Sequence, residues 1–429
     1  MLGAMFDAII IGARVAGSST AMLLARKGLR VLAVDRASFP SDTLSTHQIQ
    51  VPGVAALSRW GLLERVIAAG TPAARRVRFD PGPAVVRGKF PEFDGVDAMY
   101  SPRRTVLDKL LVDAARDAGA EVRERFTVDE VVIEDGRVTG IRGHGHGGAT
   151  VTERAPIVVG ADGRHSLLAK AVAPAHYHGR PPLTAAYYTY WEDVPIDGGE
   201  MYGCDRRFVG AWPTNDGLLM TYVACPHDEF HAFRADIEGN FLQSLDMAGD
   251  LGGRVRAGKR AERFFGTADL ANWFRKPFGP GWALVGDAGL ATDPVTGRGI
   301  SDAFRDAELV AGAIANGLGG RRALDEALAA YEQSRNDAAL PMYEFTMKLA
   351  SFAPPAREEE LLFKALAARE ADADRFLGVI TGAVPMSEYF TPRNLTRLIG
   401  LRAMISVAVG KLRAPKRASR PLARPACHT

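Results

Sequence analysis

Residues 12–17, Gly-Ala-Arg-Val-Ala-Gly, place two glycines at the start of a predicted helix, a pattern suited to binding a pyrophosphate. A helix N-terminus offers unpaired N–H groups and the positive end of a dipole to an anion. Gly12 permits a tight turn, Gly17 lets the helix pack closely on a strand, and Asp35 can accept hydrogen bonds from ribose hydroxyls. The turn and Asp35 together predict a dinucleotide site.

Arg14 departs from this pattern, because the middle position usually holds a glycine that lets the main chain approach the phosphate. Two readings remain open. Either Arg14 points away and only the main chain matters, or its guanidinium forms charge-assisted bonds to the pyrophosphate or to the edge of the bound cofactor's ring system. We favour the first reading, since an inward arginine would crowd the phosphates.

The elements that must position these residues form one βαβ unit, with strands at 6–11 and 30–35 and a helix at 18–27. Two further buried strands end in Gly-Ala-Asp-Gly at 160–163 and in Gly-Asp at 286–287. The second leads through Asp-Pro-Val-Thr-Gly-Arg-Gly, residues 293–299, into a predicted helix at 301–315. Each dipeptide alone is an ordinary turn, so only the joint pattern carries weight.

These three segments, in this order, resemble the glutathione-reductase-like FAD proteins of the aromatic hydroxylase type. That superfamily includes para-hydroxybenzoate hydroxylase, the flavin-dependent halogenases and the geranylgeranyl reductases, and the resemblance covers about the first 345 residues. It implies that Arg104 contacts FAD, that Asp162 serves FAD and often NADPH, and that Asp287 holds the ribityl hydroxyls. Gly297 and Gly299 would lie beside the flavin pyrimidine ring.

The resemblance thus implies a set of cofactor-binding residues, although Arg298 and Ser301 stand where the family often has Gln and Asn. A reduced flavin is anionic at its N1/O2 edge, and the helix N-terminus near Gly299 would stabilise that charge. The implied FAD-binding residues are Gly12, Ala13, Arg14, Ala16, Gly17, Asp35, Arg36, Arg104, Asp162, Gly286, Asp287, Pro294, Gly297, Gly299 and Ile300.

The predicted fold class is α/β, with a glutathione-reductase-like FAD-binding Rossmann domain, an antiparallel β-sheet substrate domain and a helical C-terminal region. The FAD domain is predicted to be discontinuous, at 1–75, 101–180 and 264–345. Residues 76–100 and 181–263 are assigned to the sheet, and 346–429 to the helical region with a basic tail. Helices are expected at 358–370, 372–380 and 392–412, the last interrupted by Gly400. Residues 134–136 predict a hairpin turn.

Candidate pocket residues lie in the loop 39–48, where His47 is a possible acid–base group near neutral pH. The alternative is that His47 only caps or packs within a polar loop. Pro294 should stand over the face of the flavin. In the run 186–191, Ala-Tyr-Tyr-Thr-Tyr-Trp, alternate aromatic residues belong to the core, and the others are candidates to line a pocket.

Composition excludes several classes of protein. The 429 residues carry a net charge of only +3, which gives no reason to expect nucleic acid binding. Three scattered cysteines and the isolated His144 and His146 predict neither a disulfide framework nor a metal site, and the cysteine count fits a cytoplasmic location. We find no predicted signal peptide or transmembrane segment. Residues 391–429 hold nine Lys or Arg and no Asp or Glu, which leaves weak membrane-surface contact open.

The leading functional prediction is an FAD-dependent monooxygenase that uses O2 on a small aromatic or polyketide-like substrate, as in secondary metabolism. The alternative is reduction of isoprenoid double bonds, as the geranylgeranyl reductases perform. Halogenation is disfavoured because the Trp-x-Trp-x-Ile-Pro motif is absent. A non-enzymatic flavin sensor is a third class. Electrons come either from NAD(P)H bound near Asp162 and Arg164 or from a partner reductase. The oligomeric state is left open.

Overall fold

The computed structural model describes residues 5–401 and Ala403 of the chain. Its strands, in chain order, are β1 (Ala8–Ile11), β2 (Val31–Val34), β3 (Ala73–Ala74), β4 (Arg76–Asp80), β5 (Val86–Lys89), β6 (Met99–Tyr100), β7 (Glu121–Arg123), β8 (Phe126–Glu134), β9 (Arg137–Gly145), β10 (Thr150–Arg154), β11 (Ile157–Gly160), β12 (His176–Arg180), β13 (Thr184–Glu192), β14 (Gly199–Cys204), β15 (Arg207–Pro213), β16 (Leu219–Pro226), β17 (Lys259–Arg260), β18 (Phe265–Thr267), β19 (Asn272–Arg275), β20 (Phe278–Gly279), β21 (Trp282–Leu284) and β22 (Leu290–Ala291).

The α-helices of the same residues are α1 (Val15–Ala25), α2 (Val51–Arg59), α3 (Leu63–Ala68), α4 (Arg104–Asp117), α5 (Leu167–Val172), α6 (Phe230–Ala235), α7 (Ile237–Asp246), α8 (Leu251–Ala257), α9 (Gly299–Leu318), α10 (Leu324–Ala350), α11 (Arg357–Ala367), α12 (Glu370–Thr381), α13 (Met386–Tyr389) and α14 (Pro392–Ile399). Short 3-10 helices lie at Asn215–Gly217, His227–Glu229, Gly286–Ala288 and Pro294–Thr296.

The central sheet has the strand order β20-β21-β11-β1-β2-β7, and every neighbouring pair is parallel except β20 with β21. Ala8 and Ile10 face a helical layer that contains α1 and α9, whereas Ile9 and Ile11 face the antiparallel β8–β10 sheet. Because both faces of this parallel sheet are covered, its strands consist of continuous apolar residues rather than an alternating pattern. The mixed α/β class predicted from sequence is confirmed.

A second, larger sheet has the order β17-β13-β16-β15-β14-β4-β5, with β18 also paired to β13. The sequence predicted an antiparallel sheet. This is wrong for one pair, because β14 runs parallel to β4, and the long connection between these strands permits either direction. One face of the sheet packs against α6, α7 and α8, and the other packs towards Val295.

Several predicted boundaries can be compared with these elements. Asp135 and Gly136 both have positive φ, 49° and 74°, and form the tight turn between β8 and β9 at the expected place. The boundary predicted at 345 falls inside α10, and β18 pairs with the large sheet although 264–345 was assigned to the FAD domain. Helix α14 ends before Gly400, as its glycine suggested. Most of the basic tail lies outside the described residues.

Candidate functional site

The glycine turn at the start of α1 is packed so closely that side chains do not fit. Gly12 has φ +95°, and a Cβ there would lie 2.6 Å from the carbonyl oxygen of Ala161. A Cβ on Gly17 would lie 1.8 Å from the carbonyl oxygen of Gly12. The two glycines therefore hold the carboxyl ends of β1 and β11 and the start of α1 against one another. No side chain caps the N-terminus of α1, so its first N–H groups are available to an anion.

Asp35 lies at the end of β2, beside this turn. One carboxylate oxygen accepts a 2.8 Å hydrogen bond from the main-chain N–H of Ala13, and the other accepts a 2.8 Å bond from Ala37. Each oxygen keeps a lone pair for a further donor, such as a ribose hydroxyl. The next residue, Arg36, is exposed to solvent.

Arg14 lies at the same turn, but its guanidinium extends towards α4 and the loop 39–42. It donates to Asp108 at 2.6 Å and to the hydroxyl of Ser41 at 3.0 Å. Asp108 is fully buried and also accepts two bonds from Arg104, at 2.9 and 3.0 Å. The carboxylate of Asp108 therefore binds both arginines, and no local sequence pattern predicted the Arg14 contact.

Asp162 follows β11, and one of its two carboxylate oxygens is already hydrogen-bonded to the main chain of α5. One oxygen accepts a 2.7 Å bond from the N–H of Leu167 at the start of α5, whereas the other has no hydrogen-bond partner. Burial raises the pKa of Asp162. The neighbouring Arg164 and His165 both contact the carboxylate of Asp269, at 2.8 and 2.7 Å.

Asp287 lies in the Gly286–Ala288 turn after β21, where the motif segments meet. A Cβ on Gly286 would lie 2.8 Å from the Cβ of Ala16, so this turn touches the first turn of α1. The Asp287 side chain is exposed to solvent, yet the surrounding protein displaces enough water to raise its pKa. The nearby Arg164 and Arg104 oppose that rise. Asp287 thus lies next to the first turn of α1, close enough to Arg104 and Arg164 for their charges to affect it.

The loop that follows, 292–299, contacts Gln48 from the candidate pocket loop 39–48 and also Gln50, which sequence reasoning missed. A Cβ on Gly297, which has φ +60°, would lie 1.9 Å from Oε1 of Gln48. Gln50 donates from its side chain to the carbonyl oxygen of Thr296 at 3.1 Å, and from its main chain to Ser301 at 2.9 Å. These partners are about 250 residues apart in sequence, so no local pattern could have predicted them.

At the end of this loop, Gly299 is the exposed first residue of α9, and the following Ile300 is buried. The side chain of Arg298 turns away from Gly299. Its guanidinium donates to the carbonyl oxygen of Thr381 at 2.9 Å and pairs with Asp302 at 3.2 Å. The N-terminus of α9 therefore lacks a side-chain cap, like that of α1.

Pro294 begins the short helix in the same loop and is only partly buried. The preceding Asp293 accepts a 2.7 Å bond from the hydroxyl of Thr184, and burial raises its pKa to about 6. Val295 packs into the apolar face of the large sheet. The loop therefore joins the parallel sheet to the second sheet.

His47 is fully buried, which favours the alternative that it packs within its loop over a group that titrates near neutral pH. Burial, with Arg104 and Arg103 close by, lowers its pKa to about 3, so the imidazole is neutral at physiological pH. Nε2 is hydrogen-bonded to the hydroxyl of Tyr190, and the two rings are stacked with centroids 5.9 Å apart. Nδ1 is buried without a hydrogen-bond partner. Tyr188 meets His47 edge to face, at 6.1 Å.

The aromatic run on β13 divides between the two faces of its sheet. Tyr187 and Trp191 pack against the α6–α8 layer, whereas Tyr188 and Tyr190 share a cluster with Val295. The alternation expected of a strand therefore places two of these aromatics in the core behind the sheet and two on the side of the 292–299 loop. Arg103, another residue that sequence reasoning missed, lies 4.5 Å from the Tyr190 ring centroid and pairs with Glu262.

Among residues 5–401 and 403, no cluster of three or more His, Cys, Asp or Glu is placed to hold a metal ion. His144 instead pairs with Asp129 at 2.9 Å. Within the same residues, no helix combines the length and apolar character needed to cross a bilayer.

The chain is similar to proteins of known family and fold. The family model described as an FAD binding domain matches residues 5–224, about half of the chain. A digeranylgeranylglycerophospholipid reductase of Methanocella arvoryzae is 26% identical over 357 residues, which cover 78% of this chain and 83% of that protein.

Two solved structures show the same fold at lower identity. The myxobacterial chondrochloren halogenase CndH has a TM-score of 0.75 and 23% identity, covering 94% of this chain and 97% of its own. PqsL of Pseudomonas aeruginosa, a probable FAD-dependent monooxygenase, has a TM-score of 0.68 and 21% identity, covering 88% of this chain and 99% of its own.

Proposed function

The chain belongs to the FAD-binding-domain family of oxidoreductases, and we propose that it is a monooxygenase that oxidises a small aromatic or polyketide-like substrate. When bound, reduced FAD supplies the electrons that split O2, so that one oxygen atom enters the substrate and the other leaves as water. The protein contributes binding, orientation and exclusion of water. The observation that carries the proposal is the buried aromatic wall of Tyr188 and Tyr190 beside the Pro294 loop.

The residues of the glycine turn and the two Asp motifs fit such a cofactor. The uncapped N-terminus of α1 suits a pyrophosphate, and Asp35 keeps acceptor capacity for a ribose. The exposed Asp287 is an acceptor suited to ribityl hydroxyls. The uncapped N-terminus of α9 favours negative charge on the reduced ring system.

Exclusion of water from the substrate-side face of the large sheet favours oxygenation of the substrate over release of hydrogen peroxide. Tyr190, Tyr222 and Met220 are almost entirely buried on the face of the large sheet that also carries Val295. With water excluded, the reactive oxygen meets substrate rather than solvent. His47 adds a neutral hydrogen-bonding group to this wall, without adding a charge that would draw water in.

The test begins with FAD binding and then measures oxygen uptake. Full-length protein is titrated with FAD, then mixed with NADPH or NADH in air, with and without candidate phenols. We expect a flavoprotein whose oxygen uptake and oxygenated product both require a substrate. Asp287→Asn should weaken FAD binding more than tenfold, whereas the exposed Asp216→Asn is a matched control that should not. A protein that takes up no flavin would refute the cofactor assignment.

The source of electrons is tested in the same material under anaerobic conditions. If NAD(P)H binds near Asp162 and Arg164, it reduces the flavin directly and Arg164→Ala slows that reduction. If a partner reductase supplies the electrons, neither nicotinamide reduces the flavin, yet chemically reduced protein still turns over in air.

The second candidate is reduction of isoprenoid double bonds, which the similarity to the Methanocella reductase favours. This reaction needs no oxygen and adds two hydrogen atoms for each double bond. Anaerobic incubation of reduced protein with a geranylgeranyl lipid, followed by mass spectrometry, separates the two candidates. A saturated product would refute the monooxygenase assignment. Deleting residues 404–429 and measuring liposome flotation tests whether the basic tail brings the protein to lipid.

A further inference from the structure

The substrate-side face of the large sheet contains polar atoms that the fold leaves without partners. The hydroxyls of Tyr188 and Tyr222 and Nδ1 of His47 are all buried, and none of the three makes a hydrogen bond of normal length and angle, although the hydroxyl of Tyr188 approaches the main chain of Ser45. Each such atom costs about 1–3 kcal/mol when it loses water and gains nothing in return. Three of them in one wall indicate a site built for a ligand, because native proteins rarely leave buried polar groups unpaired.

The three groups lie close together. Tyr188 and Tyr222 are direct partners across β13 and β16, so their side chains project from the same face of the sheet. His47 contacts Tyr188 edge to face. Tyr222 also lies close enough to Asp293, the residue before Pro294, for the carboxylate to affect it electrostatically. The polar atoms are therefore on the side of the sheet where the 292–299 loop approaches.

The chemistry of these groups selects their ligand. Burial raises the pKa of both Tyr188 and Tyr222, so each phenol keeps its proton and can donate it. His47 is neutral and offers one donor or one acceptor at Nδ1, according to its tautomer. An oxygen atom with two lone pairs, in a hydroxyl or a carbonyl group, matches two phenol donors.

The rest of the wall is aromatic and apolar. Phe265 stacks on Tyr188, with ring centroids 5.0 Å apart and planes inclined by 14°, and Trp212 lies 6.3 Å from Tyr222. Flat aromatic surfaces of this kind favour a planar ring over a flexible chain.

We propose that Tyr188, Tyr222 and His47 determine substrate specificity, and that the substrate is a planar ring system bearing a hydroxyl or carbonyl oxygen bound by these groups. The inference rests on the proposed function, because it places the substrate on the same side of the sheet. It also separates the two candidate activities, since a hydrocarbon isoprenoid tail offers no partner for these three atoms.

The test compares two probes of nearly equal shape, beta-naphthol and beta-methylnaphthalene, by equilibrium dialysis against the FAD-loaded full-length protein. Loss of one neutral hydrogen bond, at about 0.5–1.5 kcal/mol, corresponds to a roughly two- to tenfold change in affinity. Tyr188→Phe and Tyr222→Phe should each weaken beta-naphthol binding by that factor and leave beta-methylnaphthalene binding unchanged or stronger. Tyr187→Phe is the matched control, because its side chain lies on the opposite face of β13.

Three outcomes would overturn the inference: no binding of beta-naphthol to the parent protein, equal losses for both probes in the two variants, or the same loss in Tyr187→Phe. Dialysis does not depend on turnover, so failure of the proposed function is seen separately. If the protein binds beta-naphthol with this pattern but never consumes oxygen, the specificity site is supported and the monooxygenase assignment is refuted. If no FAD binds, dialysis of the flavin-free protein still tests the site.

Discussion

Replacing Arg14 by glycine restores the residue usual at the middle of the dinucleotide turn and tests what this arginine does. In the structure its guanidinium contacts Asp108 and Ser41, and it lies 5.5 Å from the ring centroid of Phe39. These contacts connect the start of α1 to α4 and to the loop that leads to His47. We therefore expect Arg14→Gly to change stability much more than FAD affinity.

The size of the stability loss follows from the partners. Asp108 keeps its two bonds to Arg104 after the substitution, so the buried carboxylate is not left unpaired, and the cost stays below that of breaking an isolated buried pair. One charge-assisted bond is worth about 1.5–3 kcal/mol, and the partly exposed contact to Ser41 adds about 0.5 kcal/mol. We expect the free energy of unfolding to fall by about 2–3.5 kcal/mol. Arg14 already has an ordinary φ of −85°, so the main chain need not move.

The assay is urea denaturation of the flavin-free protein together with FAD titration followed by flavin fluorescence. The dissociation constant for FAD should change less than about threefold. Arg14→Lys keeps a positive charge for Asp108 but loses the planar fork, so its stability should fall between parent and glycine variant. A folded Arg14→Gly protein that cannot bind FAD would refute the reasoning, and would mean that the guanidinium contacts the cofactor. Unchanged stability would show that the observed contacts contribute nothing.

Three further predictions concern buried groups and the glycine turn. Tyr222→Phe removes an unpaired buried hydroxyl, so it should raise the unfolding free energy of the substrate-free protein by about 1 kcal/mol, whereas Tyr202→Phe loses a 2.7 Å hydrogen bond and should lower it, both measured in urea. The pKa of Asp293 is about 6 in the folded protein and 3.8 when unfolded, so its contribution to stability falls as pH rises between these values. The unfolding free energy of Asp293→Asn should therefore rise relative to that of the parent by up to about 3 kcal/mol between pH 4 and 7. A difference that does not change with pH would contradict this. Gly17→Ala should prevent folding or lower the unfolding free energy by more than about 3 kcal/mol. Gly28 has φ +84°, but a Cβ there would have no atom within 4 Å, so Gly28→Ala should lower it by only about 1–2 kcal/mol. Equal shifts in melting temperature for the two variants would contradict the packing argument.

Part of the site could be predicted because its signals are local. A buried strand followed by a glycine turn and a helix needs only neighbouring residues, and Gly12 and Gly17 have the close contacts expected of them. The Gly-Asp turn at Asp287 likewise follows from its own strand. The sequence left open whether His47 titrates near neutral pH, because a pKa depends on burial and on charges contributed by other segments.

The sequence by itself determined the βαβ unit, the glycine turns, the Asp-containing strand ends and the alternation of aromatics on β13. These features follow from backbone sterics and from side-chain period, both of which act over a few residues. Only the tertiary structure decided that Arg14 binds Asp108, that Gln48 and Gln50 contact the 292–299 loop, and that β14 runs parallel to β4. Those outcomes depend on which distant segments pack together, and many side chains at such distances could satisfy the same hydrogen bonds and charges.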